Sequence, residues 1–235
     1  MIFNSSFAKK MIKIILNYSV LFSTIIFLSC SPKQNCPDDI NLLPMYGEVK
    51  KCEEQIEIDK QFLSDCDKQF KNRREASDKY VEIAWGFFYN NDIEASMKRF
   101  NQAWLLDKNN SEVYWGFGNL MGMKKNYNQS ILLLEKSIKI NPNNAKVYES
   151  NAISYANIFN ETKNVVHLNS TIENLKCAIK LEPENAKYYG LLTSAYSYFT
   201  QKDSLRKYLT ITDKLDPKMV DPEVRKIANT NKNDF

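Results

Sequence analysis

Histidine is nearly missing from this chain of 235 residues, with His167 the single example. The sequence also has no Gly-rich phosphate loop, no nucleophile elbow and no cysteine or histidine spacing of a metal site. Pairing Cys177 with His167 as nucleophile and base fails on distance. Ten residues along one helix span about 15 Å at 1.5 Å per residue. The chain therefore reads as a non-enzyme with no cofactor and no metal.

A surplus of one charge is missing as well. Thirty-two basic residues face 28 acidic ones, for a formal charge of +4. Lys9, Lys10 and Lys13 precede an apolar stretch that reads as removed, and without them the count is 29 against 28, about +1. Such a chain has no basic excess to neutralise phosphates, which argues against a nucleic-acid partner.

Long apolar runs are the third absence. The longest, Ile14 to Leu28, is 15 residues broken by Asn17, Ser19, Ser23 and Thr24, whereas a spanning helix needs about 20. With basic residues before it and small ones after it, the run has the order of an export signal over residues 1–29. The whole chain is 43% hydrophobic, enough for one folded domain of ordinary size.

The end of the run, Phe27-Leu28-Ser29-Cys30, resembles the lipobox of bacterial lipoproteins, with Phe27 where that family usually has Leu. The resemblance implies that Cys30 is diacylated, becomes the new N-terminus and usually gains a third chain. Two or three chains make attachment to a membrane effectively permanent. Ser31, in place of Asp, is similar to sequences passed to an outer membrane, so the expected location is the bacterial cell envelope. Asp38 and Asp39 read either as solvated linker charge or, by resemblance to some Bacteroidota lipoproteins, as part of a surface-export signal. Residues 30–47, with prolines at 32, 37 and 44, read as a tether that is extended in its first part.

Beyond the tether the chain repeats. Tyr80, Tyr114 and Tyr148 are 34 residues apart and Tyr189 follows after 41; Pro142 to Pro183 is 41 and Pro183 to Pro217 is 34. One seven-residue insertion explains both long gaps. The four units, 77–110, 111–144, 145–185 and 186–219, resemble the tetratricopeptide repeat, a helix-turn-helix of 34 residues. Position eight is small (Ala84, Gly118, Ala152, Thr193) and position eleven large (Phe87, Met121, Tyr155, Tyr196). Position 32 is proline in three units and Lys108 in the first. Small side chains are needed where paired helices cross at about 8–10 Å, and proline stops the second helix. The expected fold is an all-α tetratricopeptide-repeat solenoid of four helix-turn-helix units.

Two departures accompany the pattern. The insertion falls between Asn157 and Leu168; part of it lengthens the second helix N-terminally, because Val165, Leu168, Ile172, Leu175 and Ile179 step by 3 and 4, and Asn160 to Asn164 form a protruding turn. Upstream, residues 48–76 carry a helical stripe of Val49, Cys52, Ile56, Leu63, Cys66 and Phe70. This N-terminal amphipathic helical extension, one helix or two, is expected to cover the first repeat. Cys52 and Cys66 read as small core residues; a bridge from Cys36 to Cys52 is the alternative that a flexible tether allows. Residues 220–235 form a closing cap from Pro222 to Ala228 and a frayed tail.

Recognition is the remaining chemistry. By resemblance, the concave positions of the first helices are the binding positions. In the first two units they include Trp85, Phe88, Tyr89, Trp115, Asn119 and Met123; in the second two they include Ile153, Ser194 and Tyr198 among mainly small or charged residues. Aromatic anchors dominate interface energies, which points to the first half. Trp85 and Phe88 read equally as residues covered by the upstream helix. Trp115→Ala is expected to weaken partner capture and leave the unfolding midpoint nearly unchanged. Carboxylate-clamp positions of chaperone-binding relatives are matched only by Lys146. The leading reading is a membrane-anchored scaffold holding a protein partner in its groove. An assembly factor for outer-membrane barrels or pilus secretins and a glycan-binding module are the alternatives.

Overall fold

The computed structural model describes residues 36–199 and 202–230. Cys30 and the segment 1–29 lie outside the described residues. Within them there are ten α-helices and no strand, the all-α solenoid expected from the repeat. Helix α1 spans Glu53–Gln69. Four antiparallel pairs follow: α2 Arg73–Tyr89 with α3 Ile93–Leu106, α4 Ser111–Met123 with α5 Tyr127–Ile140, α6 Ala145–Thr162 with α7 Val165–Leu181, and α8 Ala186–Tyr196 with α9 Asp203–Leu215. Helix α10, Pro222–Asn229, closes the end by setting Val224 and Ala228 on Leu205 and Val220. Each pair packs on the next, so every unit buries a face that it cannot bury alone.

Asparagine and aspartate start these helices. Asn72, Asp92, Asn110, Asn126, Asn144, Asn164, Asn185 and Asp221 each accept a backbone N–H of the first turn. At the unit boundaries the cap also ties neighbours together. Asn110 Nδ2 donates to Asp78 Oδ1 at 2.8 Å, and Asn144 Nδ2 to Glu112 Oε1 at 2.9 Å. The third unit has Lys146 where the first two have Asp78 and Glu112, and Asn185 turns instead to Glu182 at 2.9 Å.

The small position eight is explained by a hydrogen bond as well as by volume. Ser96 Oγ donates to Ala84 O (3.0 Å), Ser130 Oγ to Gly118 O (2.7 Å) and Thr171 Oγ1 to Ala152 O (3.4 Å), one such bond across each of the first three pairs. In the fourth unit Leu205 is buried at the hydroxyl position, and Thr193 and Thr212 face each other at 3.2 Å. Gly116 has a different reason: a Cβ there would sit 2.1 Å from the Phe100 ring of the preceding unit.

The structure corrects three expectations. First, the tether does not run to residue 47. Residues 40–48 form 3-10 turns that bury Ile40 and Tyr46. The buried Asn101 of α3 holds them, donating to Asn41 O and Leu43 O, both at 2.9 Å, and accepting Tyr46 N–H at 3.1 Å. Met45, Tyr46 and Gly47 are left-handed, with φ of 55°, 56° and 66°, a backbone that costs non-glycine residues about 1–2 kcal/mol each. The Asn101 bonds and the burial of Tyr46 offset that cost.

Second, Cys52 is not simply a core residue. It is buried and bonded to Cys36, with Cα atoms 5.2 Å apart, while Cys66 keeps a buried thiol that burial pushes up in pKa. Apart from the bridged Cys52, the upstream stripe packs only in its second half. Cys66, Leu63, Phe62 and Phe70 pack with Ala76, Tyr80 and Leu106, whereas Val49 and Ile56 are exposed. The first four residues of α2, 73–76, also belong to the first helical pair rather than to the extension.

Third, the turn of the insertion is confined to Lys163 and Asn164 instead of running from Asn160 to Asn164. Residues 160–162 continue α6, which turns at Lys163 in the left-handed conformation and Asn164 as the next cap. Both helices of the third pair are lengthened, and Phe159 and Leu168 are buried between them. An extended hairpin buries apolar surface that an isolated loop would leave in water.

Candidate binding groove

Helices α2, α4, α6 and α8, the first of each pair, supply the candidate site. On α2 the Trp85 ring meets Phe88 at 5.1 Å, stacks on Tyr89 at 5.8 Å and touches Trp115 of α4 at 4.5 Å, with Phe100 of α3 beneath it at 5.3 Å. The upstream helix does not cover this cluster: α1 packs on Ala76, Tyr80 and Leu106. Trp85 and Phe88 are half-buried by each other and by α3 and α4. The Trp85 ring N–H is buried with no hydrogen-bond partner.

A bonded circuit joins α4 to α6. Trp115 Nε1 donates to Ser150 Oγ at 2.9 Å, Ser150 Oγ donates to Asn119 Oδ1 at 3.2 Å, and Asn119 Nδ2 donates to Trp115 O at 2.8 Å. Both ends of the Asn119 amide are thus occupied within the groove wall. Among the sequence-derived site residues, Tyr89 (75% exposed) and Met123 (46%) are the ones open to a ligand. Trp85, Phe88, Trp115 and Asn119 form the half-buried surface behind them.

The apolar surface continues further than the sequence suggested. A recess of about 230 Å³ between α4, α5 and α6 is lined by Phe88, Met123 and Ile153, among others. A second of about 170 Å³ lies between α6, α7 and α8, and Ile153, Phe159 and Tyr198 line it. Ile153 belongs to both and joins them. Phe159 meets Tyr198 edge-on at 4.9 Å. The 34-residue numbering could not find Phe159, because it lies in the inserted residues; its place in the 3.6-residue rhythm of an extended α6 is the signal that could have.

Two sets of charges at the groove rim are paired. Arg74 bridges Asp78 (3.0 Å) and Asp107 (3.3 Å), and Lys187 pairs with Glu149. Burial holds the Glu112 carboxyl above the usual carboxylate range, against the opposing pull of Asn144 and Lys146. His167 lies stacked beside Tyr155 at 6.2 Å with its Nδ1 unpartnered. Among the described residues no group of three His, Cys, Asp or Glu is placed to hold a metal ion, and no helix is long and apolar enough to cross a membrane.

No protein-family profile matches the chain, and no curated protein matches it in sequence. Solved structures do match in fold. A thermophilic TPR protein of Thermus thermophilus, TTC0263, superposes with a TM-score of 0.52 at 13% identity, over 65% of this chain and 79% of that one. PilF of Pseudomonas aeruginosa gives 0.55 at 16%, over 66% and 67%. MamA gives 0.53 at 17%, over 60% and 79%. An O-GlcNAc transferase of Thermobaculum terrenum gives 0.54 at 18%, but the match spans 62% of this chain and only 27% of that one. At these identities the likeness is one of fold, and the fold is that of tetratricopeptide-repeat proteins.

Proposed function

We propose that this tetratricopeptide-repeat array is an envelope scaffold, anchored by acyl chains on Cys30, that holds a segment of a partner protein along α2, α4, α6 and α8. The observation that carries the reading is the continuous apolar groove with Tyr89, Met123, Ile153 and Tyr198 exposed along it. Exposed aromatic and sulfur-bearing side chains over a rigid, half-buried floor are the composition of binding hot spots. Side-chain ordering costs little where the floor is already packed.

A photo-crosslinking residue placed at Tyr89, Met123 or Tyr198 in the cell is expected to trap the same partner from all three positions. The same residue at exposed Glu173 or Lys180 on α7 is expected to trap none of it. Equal capture from both sets sinks the groove. An outer-membrane barrel or a secretin as the trapped protein turns the scaffold into an assembly factor. The anchor is tested separately by intact mass: acyl chains on a chain beginning at Cys30 are expected, and an unmodified chain retaining residues 1–29 defeats that part.

A further inference from the structure

The chain is nearly neutral overall but not locally. On the side of the array formed by the second helices, a cleft of about 820 Å³ opens between the ends of α3 and α5 and the turn at residues 45–51. Four lysines line it, Lys51, Lys108, Lys136 and Lys139, against two acids, Glu48 and Asp59. Lys51 is paired with Asp59 at 2.6 Å. None of the ion pairs between described residues includes Lys108, Lys136 or Lys139.

Rings hold Lys108 and Lys136 in place, and a third ring lies against the paired Lys51. Lys51 Nζ lies 3.2 Å from the Tyr46 ring centre, Lys108 Nζ 4.6 Å from that of Trp104 and Lys136 Nζ 4.4 Å from that of Tyr114. The rings are tied together, because Trp104 Nε1 donates to Tyr114 Oη (3.1 Å) and Tyr114 Oη donates to Lys108 O (2.8 Å). Lys108 occupies the position that is proline in the other three units, so the one break in the proline pattern supplies a cation to this cleft.

With the ring faces already covered, little aromatic surface is left for a sugar to stack on. The open feature is the excess of ammonium groups, with Lys108, Lys136 and Lys139 outside the ion pairs between described residues and Glu48 and Asp59 the cleft's two acids, and a compact ammonium is a point-charge partner for phosphate. The Cys36–Cys52 bridge sets where such phosphate is found. Because Cys36 is fixed beside Lys51, only the five residues 31–35 separate the anchor on Cys30 from the folded body. They reach about 20 Å at most.

We propose that this cleft seats the phosphate of anionic lipid headgroups, which lays the second-helix side of the array on the bilayer and turns the groove away from it. The placement on a bilayer rests on the Cys30 anchor; the affinity of the cleft for headgroups does not. The two are therefore separable. Every contact described above lies within residues 36–230, so a chain beginning at Ser31 keeps the whole folded body and lacks the anchor.

That chain is to be sedimented with vesicles of phosphatidylcholine alone and of phosphatidylcholine with phosphatidylglycerol. At low salt at least tenfold more protein is expected on the anionic vesicles, and rising salt should release it. Lys108→Gln, Lys136→Gln and Lys139→Gln together should lower binding at least tenfold. Lys71→Gln, Lys180→Gln and Lys214→Gln together, exposed lysines elsewhere, should lower it less than twofold. Equal binding to both vesicles, or equal loss in both triple variants, overturns the proposal. So does capture of polyglutamate or inorganic phosphate by a chain that ignores the anionic vesicles. Failure of these outcomes leaves the mass test of Cys30 untouched.

Discussion

Trp115 of α4 donates its indole N–H to Ser150 Oγ of α6 at 2.9 Å, while its ring lies 4.5 Å from that of Trp85 on α2. One side chain therefore joins three successive units. That makes Trp115 part of the groove wall, and the expectation that its truncation spares stability is revised. Trp115→Ala should cost about 2–3 kcal/mol, below the range for fully buried tryptophan because the ring is half-exposed. At this chain length that is a fall of roughly 5–10 °C in unfolding midpoint. Trp115→Phe, which keeps a ring and loses the donor, should cost about 1 kcal/mol. Calorimetry showing no shift for Trp115→Ala would return the residue to the exposed set.

The Cys36–Cys52 bridge closes a separation of 16 residues and fixes one end of the turn that Asn101 holds. A loop of that size is worth about 3 kcal/mol through the unfolded chain. Cys36→Ser with Cys52→Ser should lower the unfolding midpoint and speed amide exchange at Tyr46, whose N–H bonds to Asn101. Helical content by circular dichroism should stay the same, since α2 to α9 do not depend on the turn. An unchanged midpoint with Tyr46 still protected defeats this.

Glu112 offers a test with a definite sign. Burial raises its folded carboxyl above the unfolded value, so the folded state takes up a proton more readily than the unfolded one. Stability then falls as pH rises through that window, and the cost of the buried charge is fully present above it. Glu112→Gln keeps an acceptor for Asn144 Nδ2 and removes the charge. The variant should unfold at a higher temperature than the parent at pH 7, with the difference closing as pH is lowered to 4. A constant difference across that range assigns the effect to packing instead.

The repeat was legible because its determinants are local. Tyr80, Tyr114, Tyr148 and Tyr189 recur with the helical pairs, and the small position eight is needed wherever Ser96, Ser130 or Thr171 reaches across. The turn at 40–48 was not legible, since its docking depends on Asn101, some 55 residues away in sequence. A segment with Pro37, Pro44 and Gly47 has the composition of a linker until a distant side chain satisfies its carbonyls. In the groove, the resemblance to the repeat family placed Trp85, Trp115 and Tyr89 on the concave face. It could not tell which were open, because that depends on how closely α2 and α4 approach.

Tyr89 and Met123 are the residues through which the groove can be tested without disturbing its wall. Both sit at the ends of first helices, both are well exposed, and neither donates a hydrogen bond that holds the fold. Truncating them should cost under about 1 kcal/mol of stability, as for most surface positions. At an interface, however, an aromatic anchor often carries about 2 kcal/mol or more. Tyr89→Ala with Met123→Ala should therefore weaken capture of the partner by tenfold or more at an unchanged midpoint. Ile153→Ala in the continuation of the groove separates two versions of the site. A comparable loss extends the ligand across α6 into the recess beside Phe159 and Tyr198; no loss confines it to the first two units. If none of the three variants changes capture while all remain folded, the groove along the first helices is not where the partner binds.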